Sequence, residues 1–468
     1  MVRFVASSAL AAALSATAVY AAIPTCGPNN LCPEATPCCS QYGQCGVGAY
    51  CLGGCDPLYS HSLTSCVAAP VCKSSDYKLT SLSDVTPNTQ YLGDSSKANW
   101  VSSGTPVVYQ DNSLLLTMAP NTVGTLLSST HYVWYGKISA TMTTSQGAGV
   151  VTAFIMMSDV KDEIDFEFVG VDLEHVQSNY YFQGITDYGN GQNLPVSNTV
   201  QNVHTYTLDW QPDYITWSID GQVMRTKKRS ETWNATAQQY HFPQTPARIM
   251  LSLWPAGLPT NGQGTIDWAG GLVDWNSPYM QNGYFYAMVK DVNVQCYDPP
   301  AGYNNSGSKS YVYNSRAGTN DTIAVTNQNT ILASFQATGE DPSKNPNAQS
   351  SSAAASSSSA GASKSSSAAA SASTSAAPET VPGVSGAGNR GEDTSGVQSG
   401  GSGNAAASGA SSAGGSAATG SSSSGSGSSG SGFSQGTTPS TSDAQRTRIV
   451  QGGSVAAVVV ALGAVLFL

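Results

Sequence analysis

The chain has 468 residues, of which only 10% are charged, against roughly 25% in an ordinary soluble protein. With 19 Lys and Arg against 29 Asp and Glu, the net charge is −10. No basic stripe is present to neutralise phosphates, which excludes nucleic acid as a partner and a polybasic contact with a membrane.

Residues 1–22 begin with Arg3 and continue as an Ala-rich apolar run ending in Val19-Tyr20-Ala21. A charged start, a short apolar stretch and small residues before a cut predict a secretory signal peptide. The run is too short for a membrane-spanning helix.

Cys26, Cys32, Cys38, Cys39, Cys45, Cys51, Cys55, Cys66 and Cys72 follow within 47 residues, and Cys296 stands alone. In a secreted protein such density means disulfides, because so short a segment cannot build an adequate core. Zinc is disfavoured in an oxidising compartment where His61 is the one imidazole in the cluster. No metal and no cofactor is expected anywhere in the chain.

The run Cys38-Cys39-Ser40-Gln41-Tyr42-Gly43-Gln44-Cys45-Gly46, with Cys26, Cys32, Tyr50-Cys51 and Cys55 around it, resembles the hevein-type chitin-binding modules. The resemblance implies a module over residues 23–67 that binds N-acetylglucosamine through Ser40, Tyr42 and Tyr50. Flat rings suit the apolar face of a pyranose, and a hydroxyl suits its acetamido group. Gln44 replaces the family's second aromatic, which weakens the expected binding. Eight of the nine clustered cysteines fit the module. Cys72 is left for Cys296, although Cys66 and Cys72 could exchange roles.

Residues 72–300 read as all-β. Short apolar or alternating runs, including Ser113–Met118, Tyr132–Thr143, Val150–Met157 and Tyr180–Gln183, are separated by turn residues. Thr205–Trp210 and Tyr214–Ile219 form one hairpin, and Asp220-Gly221 closes another onto Gln222–Thr226. Many short strands without helical periodicity predict a sandwich or jelly roll. All eight Trp residues fall between Trp100 and Trp275, mostly as core.

Residues 162–168 read Asp-Glu-Ile-Asp-Phe-Glu-Phe. On a strand, alternation puts Glu163, Asp165 and Glu167 on one face and Ile164, Phe166 and Phe168 on the other. Three like charges on one strand face repel, which a solvated edge or a calcium site would tolerate. Catalysis would exploit the repulsion. Residues four apart on a strand are ~13 Å apart at Cα, and side chains leaning together on a curved strand approach the ~5–5.5 Å of retaining glycosidases. One Glu must then be an ionised nucleophile and the other a protonated acid.

This motif resembles the catalytic strand of glycoside hydrolase family 16, a β-jelly-roll family. The resemblance implies Glu163 as nucleophile, Asp165 as assistant and Glu167 as general acid/base. Together with Trp134-Tyr135-Gly136-Lys137, His204–Trp210 and Leu253-Trp254-Pro255-Ala256-Gly257, the chain is similar to the fungal Crh-type cell-wall transglycosylases. That implies a chitin donor and a β-glucan acceptor, joined by transfer. The alternatives are a chitin or β-glucan hydrolase using the same acids, and a non-catalytic chitin-binding wall protein. Trp254 is the leading cleft candidate, with Arg248, six residues earlier, on the same face. Thr265, Tyr135 and Gln146 are further candidates.

Residues 301–342 form an extension. Residues 343–447 are nearly all Ser, Ala, Gly and Thr, and such a segment cannot bury enough apolar surface to order itself. They predict a disordered, O-glycosylated stalk. Asn234, Asn304 and Asn320 head N-glycosylation sequons. Small residues near Ser442, a polar spacer and the apolar run Val455–Leu468 match a glycosylphosphatidylinositol (GPI) signal. This implies attachment at Ser442, loss of the 448–468 tail and a place at the outer membrane face and in the wall, with the lipid as sole membrane link.

Overall fold

A computed structural model describes residues 23–110 and 112–346. The signal peptide, nearly all of the Ser-rich stalk, Ser442 and the apolar tail lie outside the described residues.

Two eight-stranded sheets are stacked into a jelly-roll sandwich. The first contains Glu163–Val169 in the order Gln192–Pro195, His175–Tyr181, Glu163–Val169, Val150–Ser158, Ala247–Pro255, Thr125–Ser129, Trp100–Ser103, Val85–Pro87. We call Glu163–Val169 the acidic strand. The second sheet runs from Gln222–Lys228 through Tyr214–Ile219, His204–Trp210 and Gly136–Met142 to the long strand Phe285–Cys296 and beyond. The sequence reading places Ser113–Met118 and Tyr214–Ile219 at their observed bounds. It misplaces the strand after the acidic one, which is His175–Tyr181 rather than Tyr180–Gln183. A six-residue helix, Gln263–Trp268, was not anticipated. It is too short for its periodicity to stand out.

The space between the sheets is filled by the alternate residues of each strand. From the acidic strand these are Ile164, Phe166 and Phe168, all buried. Phe166 lies 6.2 Å from Phe154 and 5.5 Å from Tyr206, ring to ring. Trp217, on the second sheet, sends its indole N–H through this core to the Asp165 carbonyl at 2.9 Å. Both sheets thus fix where the acidic strand lies.

The loop entering that strand is pinned by Asp162. Its carboxylate accepts N–H bonds from Gln183 (3.0 Å), Gln244 (2.9 Å) and Thr245 (3.1 Å), and the Thr245 hydroxyl at 2.7 Å. Burial pushes its carboxyl up to about 6 despite these donors. Asp162→Ala would leave two buried backbone N–H groups and one part-buried one unpaired, at roughly 1–3 kcal/mol for each buried group. A loss of about 3–5 kcal/mol is the expected result by urea unfolding. A change below 1 kcal/mol would show that the loop holds itself without this carboxylate.

The cysteine-rich module is closed by Cys26–Cys39, Cys32–Cys45, Cys38–Cys51 and Cys55–Cys66, and Cys72 is bonded to Cys296. The extension does not simply lead away. Its strands Ile323–Thr326 and Ser310–Tyr313 form a small sheet with Ala69–Pro70. Further along, the Gly48 N–H donates to the Ala337 carbonyl and the Gly339 N–H to the Ser65 carbonyl, both at 2.8 Å. The extension therefore straps the module to the sandwich. Of the sequon residues, Asn304 is exposed, and Asn234 and Asn320 are half-buried.

Candidate active site

Strand register determines which side chains share the outer face of the first sheet with the acids. Glu163, Asp165 and Glu167 pair with Met157, Ile155 and Ala153 on one side. On the other side they pair with Tyr181, Asn179 and Gln177. One strand further, Arg248, Met250, Ser252 and Trp254 pair with Met157, Ile155, Ala153 and Val151. Because side-chain direction alternates with period two, all of these point to the same face. The three acids are thus together on a surface that continues through Arg248 and Trp254.

The acids are not a solvated edge. Glu163 is 3% exposed and Asp165 1%, while Glu167 is half-buried. Among the described residues, Glu163 Oε2 and both Asp165 carboxyl oxygens are buried without a hydrogen-bond partner. Burial pushes the Glu163 carboxyl up to about 8; the charge of Glu167 adds to this and the proximity of Asp165 opposes it. Glu167 is likewise pushed up to about 8, by burial and then by Asp165. Asp165 is driven well above the carboxylate range, by burial and by Glu163, with Arg225 pulling the other way. The three share so little solvent that they cannot all ionise near neutrality, and they titrate as a set. The face therefore holds at least one carboxylic proton near neutrality, which the general acid of acid/base chemistry requires.

Asp165→Asn tests this electrostatic picture. A carboxyl whose folded affinity for protons is raised contributes stability below its unfolded pKa of ~4. That contribution is lost as pH rises through the folded value. The amide should therefore match wild type at pH 4 and exceed it at pH 8, by roughly 1–2 kcal/mol. An Asn variant no more stable at pH 8 would mean that the carboxylate is well accommodated.

Several candidates fall elsewhere. Trp254 is on the acidic face but buried beneath Trp268, at a ring separation of 6.2 Å. The half-buried indole of Trp268 donates to Gln177 Oε1 at 2.8 Å, and Gln177 is the strand partner of Glu167. Trp268, not Trp254, is the ring presented beside Glu167. Tyr135 is a core residue with a positive φ of 64°, lying 4.8 Å from the Trp210 ring, so it lines no cleft. Thr265 is buried in the short helix that carries Trp268. Gln146 is half-buried before Gly147, whose N–H donates to Gly170 just past the acidic strand.

The expected sugar platform of the module is also corrected. Ser40, Tyr42 and Tyr50 are all buried. Tyr50 packs into the module's own centre with Cys38, Cys51 and Cys55. The Ser40 hydroxyl accepts the Gln44 N–H at 3.3 Å. Tyr42 leaves the module and packs into the apolar floor of the acidic face with Ile155, Met157 and Met250. The doubled-cysteine loop needs a partner surface, and here that surface is the sandwich.

Gln177, Asn179, Tyr181 and Trp268 were missed by the sequence reading. The apolar run Tyr180–Gln183 begins five residues after the strand bearing the first three, which hides its alternation. Trp268 was submerged among eight Trp residues with no strand to place it.

The profile of the glycosyl hydrolases family 16 matches residues 94–270, which include the acidic strand. Crh-like protein 3 of Botryotinia fuckeliana is 58% identical over 334 residues, covering 71% of this chain and 74% of that protein. Congo red hypersensitive protein 2 of Saccharomyces cerevisiae is 47% identical over 330 residues, 70% and 71% of the two chains. Among solved structures, a Crh5 transglycosylase in complex with NAG is similar, at 31% identity and a TM-score of 0.47, over 57% of this chain and 98% of that one. With so high an identity over most of a Crh-like relative, and the acidic strand inside the matched region, the chain belongs to the Crh-like proteins of glycosyl hydrolases family 16 and is an enzyme of the glycosidase/transglycosylase type.

Proposed function

We propose that the protein is a retaining transglycosylase of the fungal cell wall that cleaves chitin and transfers it to β-glucan, crosslinking the two polymers. The observation carrying this reading is the row of three carboxyl groups on one strand face, Glu163 and Asp165 buried and Glu167 half-buried, with Glu163 and Glu167 pushed up to about 8. A purely structural or binding surface gains nothing from such repulsion.

Glu163 attacks the anomeric carbon as the glycosidic C–O bond breaks, and Glu167 gives its proton to the departing oxygen. Asp165, next to Glu163 on the same strand face, steadies its charge. In the second step the Glu167 carboxylate removes the proton from an acceptor hydroxyl. That oxygen attacks the same carbon and releases Glu163. Acceptor choice decides the outcome: a sugar hydroxyl yields a crosslink and water yields hydrolysis. Trp268 and Gln177, beside Glu167, favour sugar by offering an apolar ring and an amide where the acceptor enters.

The same reading takes residues 1–22 as a leader removed on secretion and residues 343–447 as a stalk. The tail would be exchanged at Ser442 for a GPI lipid at the outer membrane face. The partners are then the chitin donor and the β-glucan acceptor.

The test incubates the secreted chain, disulfides intact, with chitin oligomers and fluorescent glucan-type acceptors. Labelled products longer than the acceptor, absent with Glu163→Gln, establish transfer. Shortened donor without labelled hybrid makes the enzyme a hydrolase. No change in either polymer favours a wall-binding protein.

A further inference from the structure

An ionised nucleophile in a dry site needs a positive charge within reach. Burial drives all three acids of the row toward the protonated form. Two cations of the first sheet are engaged elsewhere. Arg248, 9% exposed, is turned to the cysteine-rich module: it donates to Gln41 Oε1 at 3.2 Å, and its charge falls on Asp159. Asp159 in turn accepts the Gly54 N–H at 2.8 Å and the Tyr132 hydroxyl at 2.7 Å. Lys161 is in a buried ion pair with Asp56 at 3.6 Å.

The back of the acidic strand holds a third cation. Arg225 is on Gln222–Lys228, the edge strand of the second sheet, as the strand partner of Trp217. Its half-buried guanidinium lies 4.5 Å from the centre of the Trp217 ring, and Trp217 donates its indole N–H to the Asp165 carbonyl. The guanidinium also reaches across to the first sheet. Nη1 donates to the Ser178 carbonyl at 2.8 Å and the Ser178 hydroxyl at 2.9 Å, and Nη2 donates to the Asn190 carbonyl at 2.6 Å. Ser178 is the strand partner of Phe166, and Asn179 of Asp165. All three acceptors are neutral, and among the described residues Arg225 forms no ion pair. Neutral acceptors replace lost hydration but leave the charge uncompensated. That charge falls on the row: Arg225 draws Asp165 down, and Asp165 in return favours the charged guanidinium. The other groups nearby are spent. Burial keeps the Tyr180 and Tyr181 hydroxyls neutral, Asp187 acts on Tyr180, and Lys227 is paired with Glu231 at 3.6 Å.

We propose that Arg225 is a positioning residue for the reaction: it is the counter-charge, held behind the acidic strand, that lets one carboxyl of the row ionise while another keeps its proton. The inference deepens the transglycosylase reading above and rests on it. Clamping two carbonyls and a hydroxyl needs only donors, which a neutral amide supplies. A half-buried cation without an anion of its own is costly, and the negative charge that the row must develop offsets that cost. Arg225 is on the core side of the sheet and the sugar on the other, so it acts through Asp165 and touches no substrate.

The test compares Arg225→Gln, which keeps donors and removes the charge, with Arg225→Lys, which keeps the charge and loses the fork. The full disulfide-bonded chain is used with chitin oligomers as donor. In Arg225→Gln the acid limb of the kcat/KM profile should move up by roughly half a unit to one unit, so that activity below it falls about three- to tenfold and rejoins wild type above it. KM should stay within about twofold. Arg225→Lys should keep the wild-type acid limb. Stability gives a readout that needs no turnover. Attraction to Arg225 exists only for an ionised carboxyl, so it is absent at pH 4 and present once the row has begun to ionise. Arg225→Gln should therefore lower the melting temperature more at pH 8 than at pH 4, and this difference should shrink in the Asp165→Asn background. An unmoved acid limb in Arg225→Gln overturns the proposal, and so does an equal loss of melting temperature at both pH values; the guanidinium is then a clamp only. Should Arg225→Gln fail to fold, Arg225→Lys decides: a wild-type acid limb supports the counter-charge, and a raised one overturns it. If wild type turns over no sugar while the pH-dependent loss of stability is seen, the counter-charge stands and the transglycosylase reading fails.

Discussion

Replacing Glu163 with Gln is expected to reduce both transfer and hydrolysis by ~10³–10⁶-fold, the range seen when a nucleophile or its proton-handling partner is removed. The amide keeps the shape of the side chain, so the loss is chemical and not a matter of folding. Glu167→Gln should lose activity by at least ~10²-fold, and less for donors with a good leaving group, because such groups depart without a proton. The pH profile supplies the second readout. Burial holds Glu163 and Glu167 up near 8. Once Glu167 has given up its proton no general acid remains, so activity should fall as pH climbs past about 8. An alkaline limb beginning near 5 would mean that the carboxyls are solvated in the working enzyme. Stability should move the opposite way in the variant. Removing one ionising group from this buried row relieves repulsion, so Glu163→Gln should melt higher than wild type at pH 8 and equal it at pH 4. Loss of activity together with a gain in alkaline stability would mark the row as strained for function. Lost activity with lost stability would instead point to a packing role.

The second large effect concerns Cys72–Cys296, whose partners are 224 residues apart in sequence. Cross-linking restricts the unfolded chain in proportion to the logarithm of the loop it closes, so this bridge contributes about 5 kcal/mol where Cys55–Cys66 contributes about 3. The bridge also joins the segment leading out of the module to the end of Phe285–Cys296, the long strand that pairs with Gly136–Met142 and Ser75–Lys78. Replacing both cysteines by Ala should lower unfolding stability by about 5 kcal/mol in urea. It should also loosen the attachment of the module more than the sandwich itself, seen as faster amide exchange at Gly54 than in Glu163–Val169. A stability change under 1 kcal/mol would show that the unfolded chain gains little freedom when this bridge is removed.

Much of the enzyme is legible without coordinates, for local reasons. Alternation along Asp162–Phe168 assigns the three acids to one face because a strand has no other option. Turn residues and strand-length apolar runs specify an all-β sandwich. Cysteine density specifies a bridged module. A spacing of six puts Arg248 and Trp254 on one strand face, and the register makes it the face of the acids. That counting says which way a side chain points but nothing of what covers it. Trp254 is roofed by Trp268, which comes from a short helix with no readable period. Arg248 is roofed by a module some two hundred residues away in sequence.

Local pattern therefore specifies the chemistry on offer: a row of three carboxyls on a β-strand, a cysteine-framed module and an all-β frame. How wet that row is, and which side chains share it, follows from the packing of distant segments. Burial, not composition, pushes Glu163 and Glu167 up to about 8, and only packing across long loops turns Tyr42 from a solvent-facing ring into part of an apolar cluster on the face of the acids. The physical reason is range. Side-chain direction follows from two backbone angles per residue, whereas desolvation and close approach depend on atoms contributed by distant segments, whose meeting no local pattern records.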